Sequence, residues 1–123
     1  MNATKAFFHQ FLTVVGQLQE MFPDDPDFPT FLTFLNLLQK TNPSVVINTF
    51  YENVNAKYEN KINEKDDAFI AGYEGSEYGS DMIDVFSKVK GYWSVMSPET
   101  KASIWQYMYV LKELCKRAYV VPA

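Results

Sequence analysis

Residues 66–84 read DDAFIAGYEGSEYGSDMID, with six acidic side chains, three glycines, two tyrosines and no basic residue. Carboxylates at this density raise three kinds of chemistry: ligation of a hard cation, docking of a basic partner, and acid–base work by neighbouring carboxyls. A calcium loop needs oxygen ligands at alternate positions, glycine at the sixth and a bidentate glutamate at the twelfth. Counting from Asp66 puts Ala68, Ile70 and Ala71 at the third, fifth and sixth positions, and counting from Asp67 puts Phe69, Ala71 and Gly72 there with Tyr78 at the twelfth. Neither register supplies the ligands. Gly72, Gly75 and Gly79 form no phosphate cradle, because no Lys-Ser or Lys-Thr pair follows them. Glu77, Asp81 and Asp84 precede or open a helix, where negative charge suits the dipole. The stretch reads as a solvated loop before a capped helix, and as a docking surface for a basic partner in second place. In that second reading Tyr73, Glu74, Glu77 and Tyr78 make the contacts.

His9 is the only histidine and Cys115 the only cysteine, so neither a zinc quartet of nitrogen and sulfur ligands nor an intrachain disulfide can form. His9 falls on the polar side of the first helix and is expected to be exposed. Cys115 falls on the inward stripe of the last helix, where a thiol behaves as a small hydrophobe. Lys112 and Lys116 would lower its pKa if it were exposed. No nucleophile elbow surrounds any serine. No catalytic, cofactor-binding or metal-binding residue is assigned, no cofactor is expected, and the chain reads as a non-enzyme. The enzymatic alternative rests on Glu74, Glu77, Asp81 and Asp84. Lys112, Lys116 and Arg117 sit near a helix C-terminus, where cations meet free carbonyls. They could complement the acidic loop, within one chain or between copies.

The elements that must position these groups are helices. Between residues 3 and 22, Phe7, Phe8, Phe11, Leu12, Val14, Val15, Leu18, Met21 and Phe22 recur at steps of three, four and one, a broad helical face that Pro23 ends. PDDPDFP is a rigid connection, after which Asp27 suits an N-cap. Phe28, Phe31, Leu32, Leu35 and Leu38 form the stripe of a second helix to about Lys40. Phe34 and Leu37 widen that stripe and predict burial on more than one side. Asn42 and Pro43 open a third helix with Val46, Ile47, Phe50, Tyr51, Val54 and Tyr58 inward. Ile62, Phe69 and Ile70 anchor a short helix or turn with Asp66 or Asp67 near its start. Ser80 caps a helix carrying Met82, Val85, Phe86, Val89 and Trp93. Ser97 caps the last one, with Pro98 at N1, Glu99 at N2, and Ile104, Trp105, Met108, Leu111, Leu114 and Cys115 inward to about Ala118.

This pattern predicts an all-α fold, one helical bundle of five to six helices spanning residues 1–123 as a single domain. A chain of 123 residues with 47% hydrophobic and 16% aromatic residues can bury a core and is not a disordered polymer. A net charge of −4 argues against nucleic acid, which demands clustered Lys and Arg. Polar residues interrupt each apolar run, and no basic stretch precedes the first, so neither a signal peptide nor a membrane span is expected. The expected setting is soluble and intracellular, without a membrane partner.

Ten Phe, eight Tyr and two Trp exceed what a core of this size needs. Partly exposed tyrosines mark interfaces, and Tyr73, Tyr78, Tyr92, Tyr109 and Tyr119 are the candidates. The plainer reading gives them buried rings and wet hydroxyls. These features point to a protein–protein interaction module, binding a protein partner or itself. A helical carrier of a hydrophobic ligand, resting on the Phe-rich first two helices, is the further alternative.

The segment NPSVVINTFYENVNAKYENKINEKDDAFI, followed by IWQYMYVLKELCKRA, resembles the small helical proteins of nucleocytoplasmic large DNA viruses. Asn42, Pro43, Ile62, Asp66, Phe69, Trp105 and Leu111 carry the likeness. The resemblance implies a virus-encoded virion component or accessory protein, placed in the host cytoplasm or the virion, and transfers no catalytic residue. If the acidic glycine loop is solvated, Tyr78→Ala should change stability by no more than about 0.5 kcal/mol in thermal unfolding.

Overall fold

Asn2 opens the first helix, its Oδ1 accepting the Lys5 amide at 2.9 Å and so satisfying one free N–H of the first turn. Helix α1 spans Ala3–Met21 and stops where Phe22 precedes Pro23. The computed structural model describes residues 2–72 and 85–119, apart from the side chains of 67, 71, 72 and 85–87. Helix α2 follows at Asp27–Thr41, α3 at Pro43–Phe50, a π-turn at Tyr51–Asn55 and α4 at Ala56–Asn63. Helix α5 is Asp67–Gly72, α6 is Val85–Tyr92, a 3₁₀ turn covers Trp93–Val95, and α7 is Pro98–Ala118. With α3, the π-turn and α4 taken as one rod, the described residues form six helices and no strand. The all-α expectation holds.

Helix α1 lies between α2 and α7 and makes its most extensive contacts with them. Phe7, Phe8, Val15 and Leu18 are wholly enclosed. Phe7 meets Phe8, Phe11 and Phe50 edge-on, at ring separations of 5.7, 5.7 and 5.2 Å, an arrangement in which positive ring edges face negative ring faces. At the α7 end, Ser97 Oγ accepts the Thr100 amide at 3.1 Å with Pro98 in the first turn, as its sequence signals.

Several elements depart from the sequence expectations. The third helix is not uniform: the π-turn adds a residue to one turn and so shifts the register of everything after it. Val54 is buried as its spacing predicts, Asn55 beside it is buried as well, and Asn55 Nδ2 donates to the Lys112 carbonyl of α7 at 2.9 Å. Its Oδ1 is buried without a partner among the described residues. The rod then ends on a left-handed residue, Lys65 at φ 52°. The Asp66 and Lys65 amides donate to the carbonyls of Lys61 and Ile62, each at 3.1 Å, in a Schellman closure. Asp66 Oδ1 accepts the Ala68 amide at 3.0 Å and starts α5.

Asp27 is the first helical residue of α2 rather than its N-cap; Pro26 occupies the cap, and Asp25 Oδ1 accepts the Asp27 amide at 2.9 Å. Phe34 and Leu37, expected inside, are 45% and 54% exposed. Helix α2 packs through Phe28 and Leu35 against α1 and α3, its first turn also meets Lys88 and Tyr92 of α6, and Phe34 and Leu37 on its outer face stay exposed. Met21 is likewise exposed. Trp93 is buried but on the 3₁₀ turn, and the Ser80 cap and Met82 lie outside the described residues. Trp105 is 4% exposed, its ring centroid 6.0 Å from that of Trp93 with the planes at 82°. Trp105→Ala should therefore cost about 3–5 kcal/mol through lost burial and an unfilled cavity. Chemical denaturation with circular dichroism would measure it.

Candidate functional site

Tyr73, Glu74, Glu77 and Tyr78 lie outside the described residues, so the acidic loop receives no structural account. The other three candidate tyrosines lie in separate places. Tyr92 stacks on Phe22, with rings 3.7 Å apart at 13°, and donates its hydroxyl to Asp25 Oδ2 at 2.6 Å. Tyr119 stacks on Tyr51 at 3.9 Å and 6°. Tyr109 is exposed on one side, while its ring covers the Lys112 ammonium at 4.6 Å. Each ring is engaged within the fold, and no single tyrosine surface is assembled from them.

The Tyr92 neighbourhood is an open cleft of about 590 Å³ beside the α1–α2 connection, lined by Met21, Phe22, Asp25, Asp27, Lys88 and Tyr92 among others. Lys88 Nζ reaches Asp25 Oδ2 and Asp27 Oδ2, each at 2.7 Å. The Lys88 and Tyr92 hydrogen bonds hold the Asp25 carboxyl down at about 2, against the opposing effect of burial. Burial works against the charge on Lys88, but its two aspartate bonds prevail and hold its pKa above the ordinary lysine value. The bond to Asp25, with burial, raises Tyr92. A general acid or base serving near neutrality needs a pKa moved toward 7. These groups move away from it, so the cluster works as a tie between the α1–α2 connection and α6.

A second polar cluster lies inside. Lys112, read from sequence as one of three cations meeting free carbonyls near a helix C-terminus, has a side chain only 2% exposed. Its Nζ meets Glu113 Oε1 at 3.0 Å and Glu59 Oε2 at 3.5 Å, and Lys116 meets the same Glu59 oxygen at 3.6 Å. Lys112 and Lys116 thus share Glu59 of α4, while Glu74, Glu77, Asp81 and Asp84 of the acidic loop lie outside the described residues. Removing an ammonium from water costs several kcal/mol, which the two carboxylates and the Tyr109 ring face offset. The Lys112 bond holds the Glu113 carboxyl below its usual range. Cys115 Sγ lies 3.3 Å from the Ile47 carbonyl, and burial pushes its thiol up to about 12, far from a reactive thiolate. His9 is exposed on α1. Among the described residues no group of three or more His, Cys, Asp or Glu is placed to hold a metal ion, and no helix is long and apolar enough to cross a membrane.

The remaining feature is the outer side of α2. Thr30, Phe34, Leu37 and Thr41 are exposed and fall within about 60° of one another around the helix axis. No charged residue occurs between Asp27 and Lys40. Most exposed helix faces carry charge, and this one presents a phenyl ring and a leucine among hydroxyls. Sequence reasoning placed both apolar residues in the core; the missing charges on the other side of the helix were the signal available. Comparison with protein-family models, curated proteins and solved structures finds no match to this chain.

The pH response of the cleft follows from Asp25. A carboxyl lowered from 3.8 to about 2 adds stability that is complete above the unfolded value and disappears as pH falls through the folded one. Asp25→Asn should flatten the loss of stability between those two pH values, measured by urea unfolding across the acid range.

Proposed function

We propose that this chain is a non-enzymatic helical binding module whose contact surface is the outer face of α2. The observation that carries this reading is the exposure of Phe34 and Leu37 in the stretch of α2 between Asp27 and Lys40, which holds no charged residue. Apolar residues free of neighbouring charges characterise the core of protein interfaces, and a contiguous exposed apolar patch marks an interaction site. The polar clusters support the same conclusion from the other side, since Lys88 and Lys112 are each engaged by carboxylates within the fold.

The carrier alternative gains little support. A wholly apolar cavity lies among Phe11, Val14, Phe50, Val89, Ile104 and Met108, but its volume is about 30 Å³. That is roughly the space of one water molecule. A virus-encoded setting is carried by the sequence resemblance alone, and with it the placement in virion or host cytoplasm.

A photo-reactive benzophenone amino acid at position 34, in extract of the source cells, is expected to give a discrete protein adduct. The same group at Gln106, exposed on α7, should give none. No adduct from position 34, or equal adducts from the two positions, would overturn the reading.

A further inference from the structure

The α1–α2 hairpin is charged only at its two ends. No Asp, Glu, Lys or Arg occurs between Lys5 and Glu20, or between Asp27 and Lys40. The short connection after Met21 folds α2 back along α1, so Lys5 and Lys40 come to the open end of the hairpin. Glu20, Asp24, Asp25 and Asp27 gather at the closed end, with Lys88 offsetting part of their charge. Phe34 sits midway between Asp27 and Lys40 along the helix.

From this distribution we infer that the occupant of the α2 face is a second copy of the same chain, packed antiparallel about a two-fold axis near Phe34. The inference rests on the proposed binding face and names its partner. A half-turn brings the acidic end of one hairpin toward the lysine end of the other, whereas parallel pairing sets like charge beside like. Antiparallel pairing also opposes the two helix dipoles favourably. The uncharged centre lets two molecules of net charge −4 approach without repulsion at the contact. A two-fold contact is self-complementary and closed, so Phe34 and Leu37 of each copy are covered at once and no filament results.

The size of the face sets the strength. A 15-residue helix is about 22 Å long and about 10 Å across, so two such faces cover roughly 440 Å² together, at the small end of protein contacts. That is the range of weak, reversible association. The dimer therefore forms and dissociates with concentration.

Sedimentation equilibrium of the full chain tests this, at ~10–500 µM protein and at ~50 and ~500 mM NaCl. The wild type should dimerise within that range and more weakly at high salt. Leu37→Glu should weaken association about tenfold or more at unchanged helicity, because a side chain this exposed adds little to the fold. Phe34→Glu should do the same. Lys40→Glu should weaken association at low salt and lose its effect at high salt. A wild type monomeric throughout, or a dimer indifferent to Leu37→Glu and Phe34→Glu, overturns the homodimer. A monomeric wild type that still yields a position-34 adduct with another protein overturns the homodimer alone, and loss of the adduct as well overturns the binding face.

Discussion

Helix α1 is the constraint on which the rest of the structure depends. Fourteen consecutive residues, from Ala6 to Gln19, carry no Asp, Glu, Lys or Arg, and the helix they form has four residues with no solvent exposure at all. Such a helix cannot leave its apolar face in solvent, although His9 and Gln17 are exposed on the other side. Covering it from two sides requires α2 to fold back against it and α7 to run alongside, and those are its two largest interfaces. The other helices secure that arrangement: α3 adds Phe50 to the aromatic cluster of α1, and α6 ties itself to the α1–α2 connection through Lys88 and Tyr92.

The polar chemistry is subordinate to the same packing. Lys88 and Lys112 have strong electrostatic surroundings, and each is tied to carboxylates that stop elements from sliding. Lys112 is the more demanding of the two, since an ammonium with a 2% exposed side chain needs compensation that α4 and Glu113 supply. The π-turn belongs to this design: by adding a residue it turns Asn55 toward α7, where its amide donates to the Lys112 backbone. The directions of the pKa shifts agree, with the carboxyls held down and the thiol of Cys115 held up. None is brought toward neutrality, so the described polar groups serve architecture before chemistry.

What the packing leaves over is the outer side of α2. The described core covers one side of that helix, and Phe34 and Leu37 remain exposed on the other, with charge only at the helix ends. It is an apolar face that no described residue covers, on an element whose charges lie at its ends.

The local chemistry of the chain determined the all-α architecture, the start of α7 at Ser97, and the inward positions of Trp105 and Cys115. Caps and helical periodicity act over a few residues, and those positions are legible without a partner element. Tertiary structure decided the rest. Periodicity shows that Phe34 and Leu37 are apolar, but not which side of α2 receives a neighbour; only the packing of α1 and α3 chose that side. Basic residues near a helix end read as solvated, yet Lys112 is buried because α4 happens to present Glu59 to it. The π-turn has no local code in YENVN, since its register is set by α7 across the core. Sequence governs what each element is; the competition for a limited core governs which of its faces is left for a partner.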